Sequence, residues 1–289
     1  MKIIILVPIY NDWQSASKLI EEINSNIAGL ECQFSIIIVN DASSEQQSIS
    51  TLSTENLQSI KVINMNENRG HARCIATGLK HIFEKEEFDY VIPMDGDGED
   101  RPEEIKNFVE YLSYSSDKPI VGERVKRSES LFFKFCYSAH KILTFAFTGQ
   151  SIKFGNYTCL PKSTVEKMIN DKSTWSSFSG ALTKLEKDRS TVPSIRGLRY
   201  FGPSKMSFKN LLIHSLAIIS VFKINVLIRS ILFLLAYMFL IHQNISVIML
   251  IPFPLIILLI VLVFYISKRE SLIELNSSLS NISNIDNIK

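Results

Sequence analysis

From Ser230 to Ser267 the chain carries no Lys, Arg, Asp or Glu. A run this apolar is poorly suited to water. Inside a bilayer the backbone must satisfy its own hydrogen bonds, which leaves only helices or a closed barrel. His242, Gln243 and Asn244 divide the run into two segments, Ile224–Ile241 and Ile245–Ile266. Each approaches the roughly 20 residues a helix needs to cross the hydrocarbon core. Arg229, near the start of the first, can extend its guanidinium to the interface. Pro252 and Pro254 predict a kink or local unwinding in the second. Lys205, Lys209, Lys223 and Arg229 precede the pair, and Lys268 and Arg269 follow it. By the positive-inside rule both outer ends are cytoplasmic and the polar turn faces away.

The remainder reads differently. Ile3–Val7 is a continuous apolar strand, and Leu19, Ile20, Ile23 and Ile27 follow at helical spacing. Ser35–Val39 and Ile60–Asn64 are further strands, and a helix is expected from about Gly70 to Phe83. Short β-runs separated by helix-length segments imply an α/β fold, a mostly parallel Rossmann-like sheet with helices on both faces. The expected organisation is a cytoplasmic domain over residues 1–206, a juxtamembrane amphipathic helix over 207–223, two transmembrane helices over 224–266 and a disordered cytoplasmic tail over 267–289. The tail is placed there for its Asn- and Ser-rich composition. Leu131–Phe147 suits either the membrane face or a buried helix.

Composition excludes several classes. With 31 basic and 29 acidic side chains, the net charge of +2 gives no electrostatic case for binding nucleic acid. Cys32, Cys74, Cys136 and Cys159 form no CxxC pair, which fits reduced thiols better than a disulfide framework or a zinc site. The opening MKIIILVPIYND reads as a first strand, since it lacks a small-residue cleavage pattern.

The chemistry concentrates in YVIPMDGDGEDRPEEI, residues 90–105. A buried strand ends in Asp95, Asp97, Glu99 and Asp100, with Gly96 and Gly98 forcing a turn. Ligands of open α/β sheets bind at this carboxyl edge. Four carboxylates crowded there repel one another unless a positive charge joins them. A hard divalent cation with oxygen ligands meets that need, and Mg²⁺ commonly shares such a site with substrate phosphates. A solvated acidic turn is the plainer alternative, and Asp100 is read as capping the following helix.

VPIYND, IVNDAS, NENRGHARCIATGL, MDGDGED, GER and RYFGPSK occur in the order and spacing of family 2 glycosyltransferases with the GT-A fold. With the carboxyl-terminal hairpin, the chain is most similar to the polyprenyl-phosphate branch, dolichol-phosphate mannose synthases and bactoprenol glucosyltransferases. The resemblance covers about residues 1–266. It implies a membrane-bound enzyme of the cell inner membrane, using a nucleotide-diphosphate sugar, a polyprenyl (undecaprenyl or dolichyl) phosphate and Mg²⁺ or Mn²⁺, for surface glycan synthesis. A homo-oligomer is compatible with it. By the same resemblance Pro8, Tyr10, Asp12, Asp41, Arg69 and Asp95 bind the donor nucleotide, and Asp95, Asp97 and Glu99 bind the metal. Arg124, Arg127, Lys134, Arg199, Ser204 and Lys205 bind the acceptor phosphate, and Asp97, Arg124 and Lys205 are catalytic. The family more often has Glu where this chain has Asp12, Asp where it has Asn40 and Gln where it has Glu99.

The acceptor follows from an absence. A sugar hydroxyl needs a general base. Relatives supply one through a Glu-Asp pair, and the matching segment, residues 175–180 (WSSFSG), carries no acid. A phosphate monoester, with a second pKa of about 6, is already anionic and needs cationic positioning instead. In-line attack would invert the anomeric configuration. A sugar-hydroxyl acceptor of a surface polysaccharide and a catalytically degenerate membrane scaffold are the alternatives. His71 is read as structural, since the chemistry requires no imidazole.

Overall fold

The computed structural model describes residues 1–47, 49, 53–114, 117–126, 141–203, 207–243 and 245–289. The chain begins with β1 (Lys2–Ile9), α1 (Trp13–Asn26), β2 (Gln33–Asn40), β3 (Leu57–Met65), α2 (His71–Lys85) and β4 (Tyr90–Pro93). α3 (Ile105–Leu112), β5 (Ile120–Lys126), α4 (residues 141–148), β6 (Thr158–Pro161), α5 (Lys162–Ile169), α6 (Phe178–Leu185) and β7 (Ser190–Ile195) follow. The carboxyl-terminal part comprises α7 (Phe208–Ser220), α8 (Lys223–Ile241), α9 (Pro252–Ser267), α10 (Leu272–Asn276) and β8 (Ile282–Asn287).

These strands form one sheet in the order β7-β5-β6-β4-β1-β2-β3-β8. β4, β1, β2 and β3 run parallel, as do β5 and β7, whereas β6 and β8 pair antiparallel with their neighbours. The unbroken apolar run of β1 follows from burial on both faces. Ile3, Ile5, Val7 and Ile9 pack with Leu19, Ile20 and Ile23 of α1 and Phe108 of α3. Ile4 and Leu6 point the other way, toward Ile75, Leu79 and Ile82 of α2. Gly78 lets α2 settle onto the sheet: a Cβ there would lie 3.0 Å from Val39 Cγ2 and press still closer on Leu6.

α8 and the helical stretch Ile248–Asn276, which contains α9, are long and apolar enough to cross a membrane, with mean hydropathies of 2.2 and 2.9. Their side chains face outward, as at Phe239 and Val261. Pro252 stands at the first turn of α9, behind a 3-10 turn over Ile248–Leu250. The proline therefore starts this helix and does not kink its middle, because the missing N–H costs nothing at a first turn. Ile219, Val226 and Val263 form a small core where α7, α8 and α9 meet.

The expectation of a disordered tail is overturned. α10 docks through Leu275 against Ala76 and Trp175, and β8 adds an antiparallel edge to β3. Composition underestimated this segment because its order comes from a partner: β3 offers an unpaired edge whose backbone groups seek a strand.

Candidate active site at the carboxyl edge of the sheet

Three loops converge beyond the ends of β1, β2 and β3. Asn11 and Ala42 hold left-handed backbone with φ of 49° and 53°, which non-glycine residues adopt only when their surroundings impose it. Here the constraint is a hydrogen-bond lattice. Asn11 N–H donates to Ser43 Oγ (2.8 Å), and the Ser44 and Glu45 N–H groups donate to Asn11 Oδ1. Asp41 is buried, and its two carboxylate oxygens accept from the N–H groups of Arg69 (2.7 Å) and Gly70 (2.9 Å). Asp41 thus fixes the entry to α2, and Arg69 contributes its backbone, with its guanidinium turned to Glu67. Tyr10, in the loop after β1, remains 43% exposed.

The acidic loop after β4 lies beside this cradle. Gly96 allows the approach, since a Cβ there would stand 2.8 Å from Ile9 Cγ2 and 3.3 Å from the Pro8 carbonyl. Gly98 has φ +87° beneath the ring of Tyr200. The segment after β7 then runs along the loop: Gly197 N–H donates to Glu99 O (2.8 Å) and Tyr200 N–H to Asp97 O (2.9 Å). Four acids here each have a cationic or imidazole neighbour. Glu99 pairs with Arg196, and Arg199 bridges Asp97 and Asp12, the latter at 2.8 Å. His71 Nε2 lies 3.2 Å from Asp95 Oδ1, with Asn156 Nδ2 within 2.7 Å of the ring nitrogen and 3.2 Å of the carboxylate.

Asp100 is no helix cap. Its Oδ2 accepts from the Asp95 backbone N–H at 2.9 Å, while Arg101 holds the capping position without a side-chain bond. The buried loop favours that internal closure over an outward cap.

Electrostatics in the loop are in conflict. Burial and the Asp95 charge raise Asp97 to about 6, against the pull of Arg199 and Arg196. Burial and Asp95 raise Asp100 to about 8. Burial disfavours the Asp95 charge too, but His71, with Arg196 and Arg124, holds that carboxyl below its usual range. Burial likewise opposes a charged His71, and Asp95 more than offsets it. Among the described residues no group of three or more His, Cys, Asp and Glu side chains is arranged to hold a metal ion. Asp97 and Glu99 are turned to arginines instead. The donor set still suits a hard divalent cation: carboxylate oxygens, buried and mutually repelling, in which added positive charge would relieve the strain.

Pro8, Tyr10, Asp12, Asp41, Arg69, Asp95, Asp97, Glu99 and Arg199 therefore gather at one sheet edge. Arg199, expected beside an acceptor phosphate, sits between two acids of the donor side. Arg124 lies over Gly155, 2.5 Å from where a Cβ would be. Arg127, Lys134, Ser204 and Lys205 lie outside the described residues. Sequence reasoning missed Arg196 and Asn156 and treated His71 as structural. For Arg196 the signal was its place three residues before Arg199 in one basic segment. For Asn156 there was none.

A mostly parallel sheet with an acidic loop at its carboxyl edge, beside the loops that follow β1 and β2, is the GT-A glycosyltransferase arrangement. The profile of the family described as glycosyl transferase family 2 matches residues 4–171, and the chain belongs to that family. Undecaprenyl-phosphate 4-deoxy-4-formamido-L-arabinose transferase of Klebsiella pneumoniae (strain 342) is 27% identical over 221 residues, covering 73% of this chain. Its counterpart from Salmonella choleraesuis (strain SC-B67) is 28% identical over the same length. The chain spans 64% of the length of these relatives. Glucosyl-3-phosphoglycerate synthase from Mycobacterium tuberculosis, solved with Mn²⁺, uridine diphosphate and phosphoglyceric acid, shares the fold with a TM-score of 0.55 at 13% identity, over 78% of each chain.

Proposed function

We propose that this chain transfers a sugar from a nucleotide-diphosphate donor to a polyprenyl phosphate in the membrane, with inversion at the anomeric carbon. The observation that carries the reading is the acid–arginine lattice of Asp12, Asp97, Glu99, Arg196 and Arg199 at the carboxyl edge of the sheet. Named relatives that act on undecaprenyl phosphate support it. So does the segment over residues 172–180, which carries no acid to serve as a base.

Tyr10 would stack on the nucleobase, with Asp41 holding the cradle's shape and Asp12 and Pro8 lining it. Asp95 and Asp97, with Glu99, would hold Mg²⁺ or Mn²⁺. When bound, such a cation supplies Lewis-acid neutralisation of the departing diphosphate. Arg199, whose buried Nε has no protein partner, would offer N–H groups to phosphate oxygens once the donor loosens its hold on Asp97. Arg124, and with it Arg127, Lys134, Ser204 and Lys205, would receive the acceptor phosphate. That acceptor arrives as an anion, so no residue need remove a proton. α8 and α9 would span the inner membrane with both ends cytoplasmic.

Membranes containing the protein, incubated with a panel of nucleotide sugars and undecaprenyl phosphate, should form a glycosylated lipid phosphate detectable by mass spectrometry. A sugar added to a glycan, with no lipid-phosphate product, would refute the acceptor assignment.

A further inference from the structure

The last strand reaches the nucleotide cradle through a chain of side-chain amides. Asn40, buried at the end of β2, accepts the Ser43 backbone N–H on its Oδ1 at 3.0 Å. A backbone N–H can only donate, so that bond fixes the Asn40 carboxamide in one orientation. Its Nδ2 must face the other way, and it donates to Asn64 Oδ1 on β3 at 2.8 Å. Asn64 Nδ2 donates in turn to Asp286 Oδ2 on β8, also at 2.8 Å. A carboxylate can only accept. Both amides are therefore oriented from both ends, and the polarity runs one way from Ser43 to Asp286. The remaining Asp286 oxygen accepts from Asn284 Nδ2, and pairing of Val62 with Asp286 holds β8 in register.

The near end of the chain is a loop under conformational strain. Residues 41–45 begin with Asp41, include Ala42 with positive φ, and are laced to Asn11, the neighbour of Asp12. A loop held in unfavoured backbone keeps its shape only through the groups it bonds to.

We propose that Asp286 is a positioning residue for the nucleotide cradle, acting through Asn64 and Asn40 to hold loop 41–45 in the shape that takes a nucleoside diphosphate. The identity of the ligand rests on the function proposed above; the coupling between β8 and the loop does not.

The polarity of the relay makes it testable by reversal. Asn40→Asp puts an acceptor against Asn64 Oδ1. If Asn64 turns to satisfy it, Asn64 then presents its oxygen to the Asp286 carboxylate, and one junction is always acceptor against acceptor. Adding Asp286→Asn supplies a donor at the far end, so the relay can run in the opposite direction.

The full-length protein in detergent would be assayed by amide hydrogen exchange over residues 41–45, and by calorimetry with UDP and with GDP, each with Mn²⁺. Asn40→Asp should speed exchange and weaken binding of the preferred nucleotide, each by about tenfold, the scale of one broken contact within a coupled network. The double variant Asn40→Asp/Asp286→Asn should recover most of both losses. Asp286→Asn alone keeps an acceptor toward Asn64 and should do less harm than Asn40→Asp. If Asn40→Asp does not fold, Asp286→Ala, which removes the acceptor, should loosen the loop by a similar factor. A double variant no better than Asn40→Asp, or an Asp286→Ala protein with wild-type exchange in the loop, overturns the proposal. Wild-type protein that binds neither nucleotide, with exchange still following the relay, overturns the donor reading and leaves the positioning of the loop by β8 standing.

Discussion

Replacing Arg199 by Ala removes the guanidinium that Asp12 and Asp97 share. All three side chains are only 16–17% exposed, so solvent screens the pairs weakly. Taking one partner from a buried ion pair costs about 3–5 kcal/mol, because the abandoned charge stays buried. The loss is tempered here. Asp97 already titrates at about 6 under burial and the Asp95 charge, and without Arg199 it would take up a proton more readily. The contribution of the Arg199–Asp97 pair requires an ionised Asp97, so it is present above about pH 6 and fades as pH falls through that value. Near pH 8 in chelator the variant should lose about 3 kcal/mol, a drop of roughly 6–12 °C in Tm for a domain of this size. Near pH 5 the deficit should shrink to about half, since Asp97 is then neutral in both proteins. Thermal unfolding of both proteins at the two pH values measures this. A drop under about 2 °C near pH 8, or equal drops at both pH values, would refute the claim that Arg199 balances the acidic loop.

Other consequences follow from the same geometry. Gly78→Val should destabilise the domain by about 1–3 kcal/mol by forcing α2 off Leu6 and Val39; an unchanged melting temperature would contradict the packing argument. Glu270, 4% exposed and within 3.8 Å of Lys172 and 3.6 Å of Lys223, links the segment before α6 to the start of α8. Glu270→Ala should cost no more than about 1 kcal/mol, because Lys172 and Lys223 keep their access to solvent, read as a small fall in unfolding temperature in detergent. Mn²⁺ affinity, measured by calorimetry, should rise from about pH 5 to about pH 7 as Asp97 gives up its proton. A flat profile would remove Asp97 from the ligand set.

Much of this was legible in the sequence, for physical reasons. β1 could be read because burial on both faces demands an unbroken apolar run, and Ile3 to Val7 supply one. The acidic loop could be read because carboxylates and glycines at a strand end are costly without a ligand. β8 could not. Its order is conferred by the free edge of β3, and a strand rich in Asn and Ser carries little periodic signal. Nor could the insertion of β6 between β4 and β5, since that pairing links residues far apart in the chain. Arg199 was recognised by its motif, but its pairing with Asp12 and Asp97 was not, because a motif records residue types and not which way a guanidinium turns. The partners of Asp95 illustrate the same limit: Asn156 comes from a loop with no distinguishing pattern, and His71 from the first residue of α2.

The claim beneath the account is that the loop after β4 binds a cation together with the diphosphate of a nucleotide. Calorimetry of the full-length protein with UDP and with GDP, in Mn²⁺ and in chelator, tests it most directly, with Asp97→Asn as the comparison. The account predicts binding of one nucleotide that requires Mn²⁺ and weakens at least about a hundredfold in Asp97→Asn, as loss of a ligand that bridges metal and phosphate should. Equal affinity in chelator, or in the variant, would contradict it.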